Sequence, residues 1–348
     1  MCPIKGKLSG WGTFAVQASL RGVCKQDFCA ARTRMGMRCI SSHMYLYKGG
    51  NYMALFKGAG VALVTPMDEN LEVDYGKLAE ILEDQIKNET DSIIITGTTG
   101  EASTLTLEEH LEVIRAAVGI VGKRVPVIAG TGSNCTKTAV ELSRQAQLVG
   151  ADGLLVVTPY YNKATQKGLM SHYIEIAKHV DIPIIMYNIP GRTGCRIEAA
   201  TAAALNREVE HIVGMKDAVG DISYTLKLME QTQGDFDVYS GEDGQVIPLL
   251  ACGGIGVISV LSNVAPKFTH DMVMNYLNGN QKEALDMQIK ALPLVDALFC
   301  EVNPIPVKAA MNLMGWNVGS LRAPLSSMEQ QNVEKLAKAM KEFGIPLA

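Results

Sequence analysis

The sequence predicts an α/β protein in which a (β/α)8 TIM barrel is followed by a C-terminal helical extension. Eight short apolar or glycine-rich runs alternate with segments whose apolar residues recur at helical spacing, such as Leu78, Ile81, Leu82 and Ile86. Near-continuous apolar runs are typical of parallel strands buried on both faces. A doubly wound sheet is the alternative, but eight units and no G-x-G-x-x-G loop favour the barrel.

The eight predicted strands are separated by intervals that each have room for one helix. A helix between consecutive strands is the usual connection for parallel pairing. We therefore place the barrel at residues 53–264. In chain order, its strands are predicted at GAGVALVTP (58–66), SIIITGTTG (92–100), PVIAGTG (126–132), GLLVVTPYY (153–161), PIIMYNIP (183–190), IVGMKDA (212–218), DVYSGED (237–243) and GGIGVISV (253–260).

Beyond the eighth predicted strand, the alternation of strands and helices stops. Residues from about 265 to 345 show helical patterns only, with breaks at Pro266, Asn280, Pro304/Pro306 and Ser326. We predict that residues 265–348 form a helical region that packs against the barrel and is available for contacts between subunits.

Residues 1–52 differ from the rest of the chain and are predicted to be a separate, non-homologous extension. They carry eight Lys/Arg residues and one acidic residue, Asp27, and they lack sustained periodicity. These features fit an organellar transit peptide, and they fit equally a translation start assigned too far upstream of Met53. The expected location is the cytoplasm, or a plastid if residues 1–52 are a transit peptide.

Composition argues against several classes of function. The net charge of −4 leaves 24 basic and 35 acidic residues from Met53 onward, so no basic patch suggests nucleic acid as a partner. No uninterrupted apolar run approaches the ~18 residues of a membrane-spanning helix. The eight cysteines include no C-x-x-C and are too dispersed for a zinc site or a disulfide framework. We expect free thiols in a reducing compartment, and no metal site.

Polar side chains cluster where the predicted strands end. In a barrel of this kind the active site lies at the carboxyl ends of the strands. Strand ends are also where polar residues reach solvent in any protein, so each residue alone has a simpler explanation. Their convergence on one mouth of the barrel predicts a site containing Thr98 and Thr99, Tyr160 and Tyr161, Tyr187 and Asn188, Lys216 and Asp217, and Ser240 and Glu242.

Lys216 interrupts the apolar segment IVGMKDAVG (212–220) and is the candidate nucleophile. A lysine at a strand end is most often a solvent-exposed charge. The sharper alternative is a buried amine that forms a Schiff base with a carbonyl substrate. Burial beside Ile212, Val213 and Met215 would lower its pKa from ~10.4 to ~7–8. The uncharged fraction at pH 7 would then rise from less than ~0.1% to ~10–50%.

Two further segments predict binding sites for anions. In GTTGE (97–101), Gly97 and Gly100 free the backbone so that amide N–H groups and threonine hydroxyls can meet one anion. A plain turn between a strand and a helix explains this segment equally well. In YNIPGRTG (187–194), Arg192 offers a planar donor fork suited to a carboxylate, although most loop arginines are solvated. Two anion sites beside an amine would suit the joining of two carboxylated substrates.

Four segments together resemble a known family. GTTGE, YNIPGRTG, GMKDA and NPIPVK (303–308) are similar, in order and spacing, to the signatures of the dihydrodipicolinate synthase family, the 4-hydroxy-tetrahydrodipicolinate synthases. The resemblance covers the chain from about Met53 to the C-terminus. The wider group of pyruvate-dependent class I aldolases shares the barrel and the lysine. The second threonine of GTTGE and the arginine of GRTG resemble the synthases more than the sialic-acid enzymes of that group.

The resemblance implies a lyase that condenses pyruvate with aspartate semialdehyde in lysine and diaminopimelate biosynthesis. Lys216 would form a Schiff base with pyruvate, so no separate cofactor is expected. Tyr187 would relay protons in a triad with Thr98 and Tyr161. In the family, the latter tyrosine reaches across a dimer interface into the neighbouring site. The resemblance therefore also implies an oligomer, and the family's usual arrangement is a homotetramer built as a dimer of dimers.

The substrate-binding residues also follow from the resemblance. The hydroxyl of Thr99 and the loop amides would hold the carboxylate of pyruvate, and Arg192 would hold that of the semialdehyde. Gly241 and Ile258 match backbone positions that line the family's site. These assignments agree with the two anion sites expected from the residues alone.

Many members of the family are inhibited by lysine bound in a cleft at the dimer interface. Ser103, Asn134 and Tyr160 are compatible with such a cleft, but Leu107 falls where inhibited bacterial members often have a histidine and Thr138 where they have an acid. Without that acid, the α-ammonium of lysine loses a charge-assisted partner of roughly 1.5–3 kcal/mol. We therefore expect weak or absent feedback inhibition.

Two other functions compete with this prediction. Another pyruvate aldolase of the same barrel family would cleave a keto-deoxy sugar acid, but a polyol substrate would need hydroxyl partners rather than a second carboxylate clamp at Arg192. A non-catalytic barrel could bind a small keto acid as a sensor, but it would have no need to keep Lys216 and its proton relay.

Overall fold

The computed structural model describes residues 54–348. The two interpretations of residues 1–52, a transit peptide or a misassigned start, lie outside the described residues. Within the described part, eight strands close into one parallel barrel that is followed along the chain by a group of helices. The fold class predicted from the sequence is confirmed.

Each strand of the barrel lies within one of the predicted runs. The strands are β1 Gly58–Ala62, β2 Ser92–Ile95, β3 Val127–Gly130, β4 Gly153–Val157, β5 Ile184–Asn188, β6 Ile212–Asp217, β7 Asp237–Ser240 and β8 Gly256–Ser259. Consecutive strands pair in parallel, and β8 closes on β1 through register pairs that include Gly60 with Ile258. Nearly all strand residues are buried, because side chains alternate between the barrel interior and the surrounding helices.

Helices follow the strands where the apolar periodicity predicts them. They are α1 Tyr75–Lys87, α2 Leu107–Val121, α3 Thr136–Leu148, α4 Gln166–Ala177, α5 Ala199–Glu208, α6 Ile222–Thr232, α7 Val246–Ala251, α8 Pro266–Leu277, α9 Gln281–Leu298, α10 Ile305–Leu313 and α11 Gln330–Phe343. Helix α2 begins with a reciprocal capping box between Thr106 and Glu109, the first and last residues of the segment TLEE. None of the helices within residues 54–348 is both long and apolar enough to cross a membrane.

Helix α8 packs on the barrel beside its first strand. Met272 and Val273 of this helix share a buried cluster with Ala59 of β1 and Val257 of β8. Helices α9, α10 and α11 continue beyond it. The predicted division of the chain at residues 264 and 265 groups α8 with these later helices, and that division stays a prediction.

The C-terminal helices reach the carboxyl end of the barrel at the loop that follows β2. Asn303, just before α10, donates from Nδ2 to Oγ1 of Thr99 over 3.0 Å. Lys308, within α10, donates from Nζ to Oε1 of Glu101 over 2.8 Å. The end of the barrel where the polar residues were predicted to converge is therefore built jointly by the strand loops and the C-terminal helical region.

Candidate active site

The carboxyl ends of the strands surround a cavity of about 340 Å³. This volume lies in the range typical of pockets for small molecules. Several of the predicted site residues line it together, as expected for strand ends that meet at one mouth of a barrel. The polar and charged side chains of the lining are Thr98, Thr99, Tyr187, Arg192, Lys216, Glu242 and Asn303.

Lys216 lies near the carboxyl end of β6 and is only 5% exposed. In the register of the barrel it pairs with Tyr187 of β5 on one side and Tyr239 of β7 on the other. Burial lowers the pKa of Lys216 to about 8, and the negative charges of Asp243 and Glu242 partly oppose that shift. The amine is therefore buried, and a substantial fraction of it is uncharged near neutral pH.

Tyr187 lies against this amine. The Nζ atom of Lys216 is 4.5 Å from the centre of the Tyr187 ring. Burial raises the pKa of Tyr187 to about 12, and a hydrogen bond with the side chain of Thr98 works in the opposite direction. The phenol therefore keeps its proton at neutral pH and can act as a hydrogen-bond donor beside the amine.

The loop after β2 lines the cavity and contains two amide groups without a hydrogen-bond acceptor within residues 54–348. Within the loop, the amides of Gly100 and Ala102 donate to the carbonyl of Gly97, and the amide of Glu101 donates to Thr98. The amides of Thr98 and Thr99 have no acceptor among the described residues. These two N–H groups, together with the Thr99 hydroxyl, form a concave donor set suited to a carboxylate.

Arg192 lies in the short helical turn Pro190–Thr193 that follows β5. Its guanidinium lines the cavity, and its Nη2 atom is 3.4 Å from the carbonyl oxygen of Asn303. The donor fork is therefore held at the cavity by the chain segment before α10. It forms a second cationic position beside the amine of Lys216 and suits a second carboxylate.

Residues 55–343 match the family model described as the dihydrodipicolinate synthetase family. The chain belongs to this family. The 4-hydroxy-tetrahydrodipicolinate synthase of Lachnoclostridium phytofermentans is 57% identical over 293 residues, which cover 84% of this chain and 100% of that protein.

Solved structures show the same relationship to the dihydrodipicolinate synthetase family. The chloride-inhibited dihydrodipicolinate synthase from Acinetobacter baumannii, complexed with pyruvate, is 44% identical with a TM-score of 0.81, covering 83% of this chain and 99% of that chain. The enzyme from Cyanidioschyzon merolae, with lysine bound, is 39% identical with a TM-score of 0.82, covering 84% of this chain and 100% of that chain.

Gly241 lines the cavity at a position where the backbone passes close to Lys216. A Cβ atom at residue 241 would lie 2.6 Å from the Cβ of Ala218 and 3.1 Å from the Cε of Lys216. Any larger residue would therefore push against the lysine side chain. Glycine at this position keeps the approach to the amine open.

Two of the residues that the resemblance gives a role in the site do not line the cavity of this chain. Tyr161 is 90% exposed and has a left-handed φ of 73°. Ile258 is buried within β8, and Val260, two residues later, lines the cavity. The roles assigned to Tyr161 and Ile258 by resemblance stay predictions.

Some polar residues at the strand ends make structural contacts. The side chain of Asn188 donates to the carbonyl of Ile197 and to the hydroxyl of Tyr224. The carboxylate of Asp217 accepts hydrogen bonds from Thr225 and from the amide of Val219. These buried side chains hold neighbouring loops in place and do not line the cavity.

Sequence reasoning assigned no role to two residues that do line the cavity. In the sequence, Asn303 is marked only by its place in NPIPVK, and Glu242 only by its place as a polar residue at a strand end. The Oδ1 atom of Asn303 is buried without a hydrogen-bond partner among the described residues. Glu242 is the acidic residue of the lining, and burial raises its pKa. No local pattern marks Asn303, because its partner Thr99 is 204 residues away.

A second cavity, of about 580 Å³, shares Thr98 and Tyr187 with the first. Four of the residues considered for lysine binding line it, namely Ser103, Leu107, Thr138 and Tyr160. Asn134, which was grouped with them, is not in the lining, and its carbonyl accepts a hydrogen bond from Asn162. The predicted weak response to lysine stays a prediction.

Among residues 54–348, one group outside the cavity has the composition of a metal site. Potential ligand atoms of Glu89, His270 and Asp271 lie within 4.8 Å of one another. The Nζ atom of Lys267 donates to both carboxylates, over 3.0 Å to Glu89 and 2.9 Å to Asp271. The acidic groups thus have a cationic partner within the protein, and the cluster is explained without a metal. The cysteines within residues 54–348 are free thiols.

Proposed function

We propose that the chain condenses pyruvate with aspartate 4-semialdehyde to form 4-hydroxy-tetrahydrodipicolinate, the first committed step of lysine and diaminopimelate biosynthesis. The observation that carries this proposal is the buried amine of Lys216, whose pKa is about 8, beside the Tyr187 phenol in a cavity with two sites for carboxylates. The names of the relatives, and the pyruvate complex of the Acinetobacter baumannii enzyme, support it.

Catalysis begins when the uncharged amine of Lys216 attacks the keto carbon of pyruvate. Loss of one water gives a Schiff base, so the covalent adduct replaces any separate cofactor. The amides of Thr98 and Thr99 and the hydroxyl of Thr99 bind the pyruvate carboxylate. This arrangement holds the keto carbon next to the amine, and positioning of this kind accounts for a large part of catalysis.

Proton transfer converts the Schiff base to its nucleophilic enamine. Loss of a proton from the methyl group of pyruvate gives the enamine, which attacks the aldehyde carbon of the second substrate. The Tyr187 phenol, linked to Thr98 and to Tyr161 of a second copy of the chain, relays protons to and from the reacting atoms.

Arg192 binds the carboxylate of aspartate semialdehyde through its donor fork. The amino group of this substrate then attacks the former keto carbon and displaces Lys216, which closes the ring and frees the enzyme. The overall reaction releases one water, the one lost when the Schiff base formed. Gly241 leaves space beside Lys216 for these intermediates.

A homotetramer, built as a dimer of dimers, is the proposed assembly. Tyr161 is almost fully exposed in one chain, which suits a residue that completes the site of a neighbouring copy. On α9, the apolar side chains of Leu285, Ile289 and Leu292 are exposed at helical spacing. An exposed apolar stripe of this kind is typical of an interface. The cytoplasm is the proposed location.

Turnover by the full-length protein tests the proposed function. Pyruvate and aspartate semialdehyde are supplied together, and product is followed with a coupled reductase. Lys216→Ala is expected to abolish turnover and trapping of pyruvate by borohydride. The matched control is Lys282→Ala, because the side chain of Lys282 is 90% exposed on α9.

The outcomes separate the candidate functions. Turnover that is lost only in Lys216→Ala supports the synthase and the role of the lysine. Trapping of pyruvate on Lys216 without turnover keeps the aldolase chemistry and points to another aldehyde partner. Absence of both in the wild-type protein would rule out the proposed function.

A further inference from the structure

A buried ion pair joins the loop after β2 to the C-terminal helical region. The Nζ atom of Lys308 lies 2.8 Å from Oε1 of Glu101, and their side chains are 1% and 0% exposed. The two residues are 207 positions apart in the sequence. Removing two charges from water costs several kcal/mol per ion, which the pair recovers only with good geometry and further hydrogen bonds.

The remaining polar atoms of the pair are satisfied by the surrounding backbone. The second oxygen of Glu101, Oε2, accepts the amide N–H of Arg322 over 3.1 Å. Lys308 donates a second hydrogen bond to the carbonyl of Ser320 over 2.7 Å. The pair therefore fixes Glu101 to two separate segments of the C-terminal region, the helix α10 and the chain around Arg322.

The loop held by this pair has a strained backbone at both ends. Thr96 has φ of 53° and Glu101 has φ of 54°, in the left-handed region that residues with a Cβ rarely adopt. Such residues cost about 1–3 kcal/mol each and persist only when their surroundings enforce the conformation. Between them lie Thr98 and Thr99, which line the cavity and whose amides have no acceptor among the described residues.

We propose that the Glu101–Lys308 ion pair positions the 96–101 loop for binding the carboxylate of the keto-acid substrate. The proposal rests on the function proposed above. Neither residue lines the cavity, so both act through the loop and are positioning residues. The C-terminal helical region thereby sets the affinity of the enzyme for its first substrate, in addition to any role in assembly.

The structure supports positioning over stability alone. A buried ion pair is often no more stabilising than apolar residues of the same volume. Here it holds a left-handed residue at the end of the loop, and Asn303 holds Thr99 from the same C-terminal segment. The C-terminal region therefore holds the loop at residues 99 and 101, directly after the amides of Thr98 and Thr99.

Three variants test the proposal in the full-length protein. They are Lys308→Met, Glu101→Gln and the double variant Glu101→Gln/Lys308→Met. Each is measured for its thermal midpoint and for the pyruvate concentration that gives half-maximal borohydride trapping. Lys282→Met, at the exposed pair of Lys282 with Asp286, is the control and should change neither quantity appreciably.

Lys308→Met should lower the thermal midpoint strongly, because it leaves Glu101 buried without its cation. The double variant removes both charges and should recover much of the midpoint. Its half-saturating pyruvate concentration should nevertheless stay raised by about 10-fold or more, the loss expected when a charge-assisted contact no longer orders the loop. The maximal rate at saturating pyruvate should change much less.

Recovery of both the midpoint and the pyruvate affinity in the double variant would overturn the proposal and leave the pair a structural role only. If the Lys308 variants do not fold, Glu101→Gln decides alone, and normal pyruvate affinity in it would overturn the proposal. Failure of the proposed function is distinguishable, because the wild-type protein would then show no turnover of pyruvate with aspartate semialdehyde, whereas failure of this proposal leaves wild-type turnover and trapping intact.

Discussion

The Nζ atom of Lys216 lies 4.5 Å from the centre of the Tyr187 ring, and the two residues are register partners on β6 and β5. This pairing places an amine with a lowered pKa beside a phenol with a raised pKa. Both shifts arise mainly from burial, which disfavours the charged form of each group. Near neutral pH, a partly uncharged amine therefore lies beside a protonated phenol.

The rate of pyruvate trapping should rise with pH through a midpoint of about 8. Only the uncharged amine of Lys216 is nucleophilic, and its fraction increases as pH rises through its pKa of about 8. Because the charge of Glu242 raises that pKa, Glu242→Gln should move the midpoint to lower pH. Borohydride trapping reactions that are stopped at fixed times across the pH range measure this midpoint. A midpoint near that of a free lysine, about 10.4, would contradict a desolvated amine.

Replacing Tyr187 with phenylalanine should lower kcat by roughly 10²–10⁴-fold, the usual loss for a general acid–base group. The ring that contacts Lys216 is kept, so the final yield of trapped pyruvate should be close to that of the wild type. Tyr239→Phe is the matched control, because Tyr239 pairs with Lys216 from β7 and its hydroxyl donates to the carbonyl of Phe56. Equal losses of kcat in the two variants would argue against a proton relay through Tyr187.

The barrel could be predicted because its signal is local. Each strand is a short apolar run such as SIII of β2, and each capping box lies within four residues, as in Thr106–Glu109. The unusual position of Lys216 could also be recognised from the sequence. A lysine inside an apolar strand conflicts with the burial that its apolar neighbours predict. Such conflicts are expected at functional sites.

The contacts across the chain could not be predicted in the same way. Thr99 meets Asn303, and Glu101 meets Lys308, over separations of 204 and 207 residues that no periodicity reveals. The segment NPIPVK can be recognised as a motif in the sequence, but its contacts with the loop after β2 can be identified only from the fold. Polar residues at strand ends also look alike in sequence, so Asn188 with its structural contacts could not be separated from Tyr187.

Arg192→Gln should raise the KM for aspartate semialdehyde by about 10- to 150-fold, the loss expected for a hydrogen bond to a charged group. Pyruvate trapping at saturating pyruvate should change only slightly, because the loop after β2 is the proposed binding site for that carboxylate. Arg192→Lys should recover little, because an ammonium lacks the planar fork. Steady-state kinetics with each substrate varied in turn measure both effects, and a raised KM for pyruvate instead would reverse the assignment of the two sites.

The pairing of Glu109 with Arg322 should make stability depend on acid pH. Hydrogen bonds from Arg322 lower the pKa of Glu109 to about 2. Because the pKa of Glu109 is lower in the folded protein, its charged form stabilises the fold at pH values above the ordinary pKa of 4.5. This stabilisation is lost as the pH falls towards about 2. Glu109→Gln should therefore cost about 1–3 kcal/mol at pH 7, and its difference from the wild type should shrink in acid. Urea unfolding at several pH values tests this, with the exposed Glu108→Gln as control.

Lysine should bind weakly or not at all to the cavity lined by Leu107, Thr138 and Tyr160. No acidic side chain is present in this lining to pair with the α-ammonium of lysine. Thr138→Glu should therefore increase lysine affinity by about 10- to 150-fold, the gain expected from a charge-assisted hydrogen bond. Isothermal titration of both proteins measures the difference, and Thr138→Gln controls for side-chain size. Tight, saturable binding by the wild-type protein would show that other groups recognise the ammonium and that Thr138 is no obstacle to feedback inhibition.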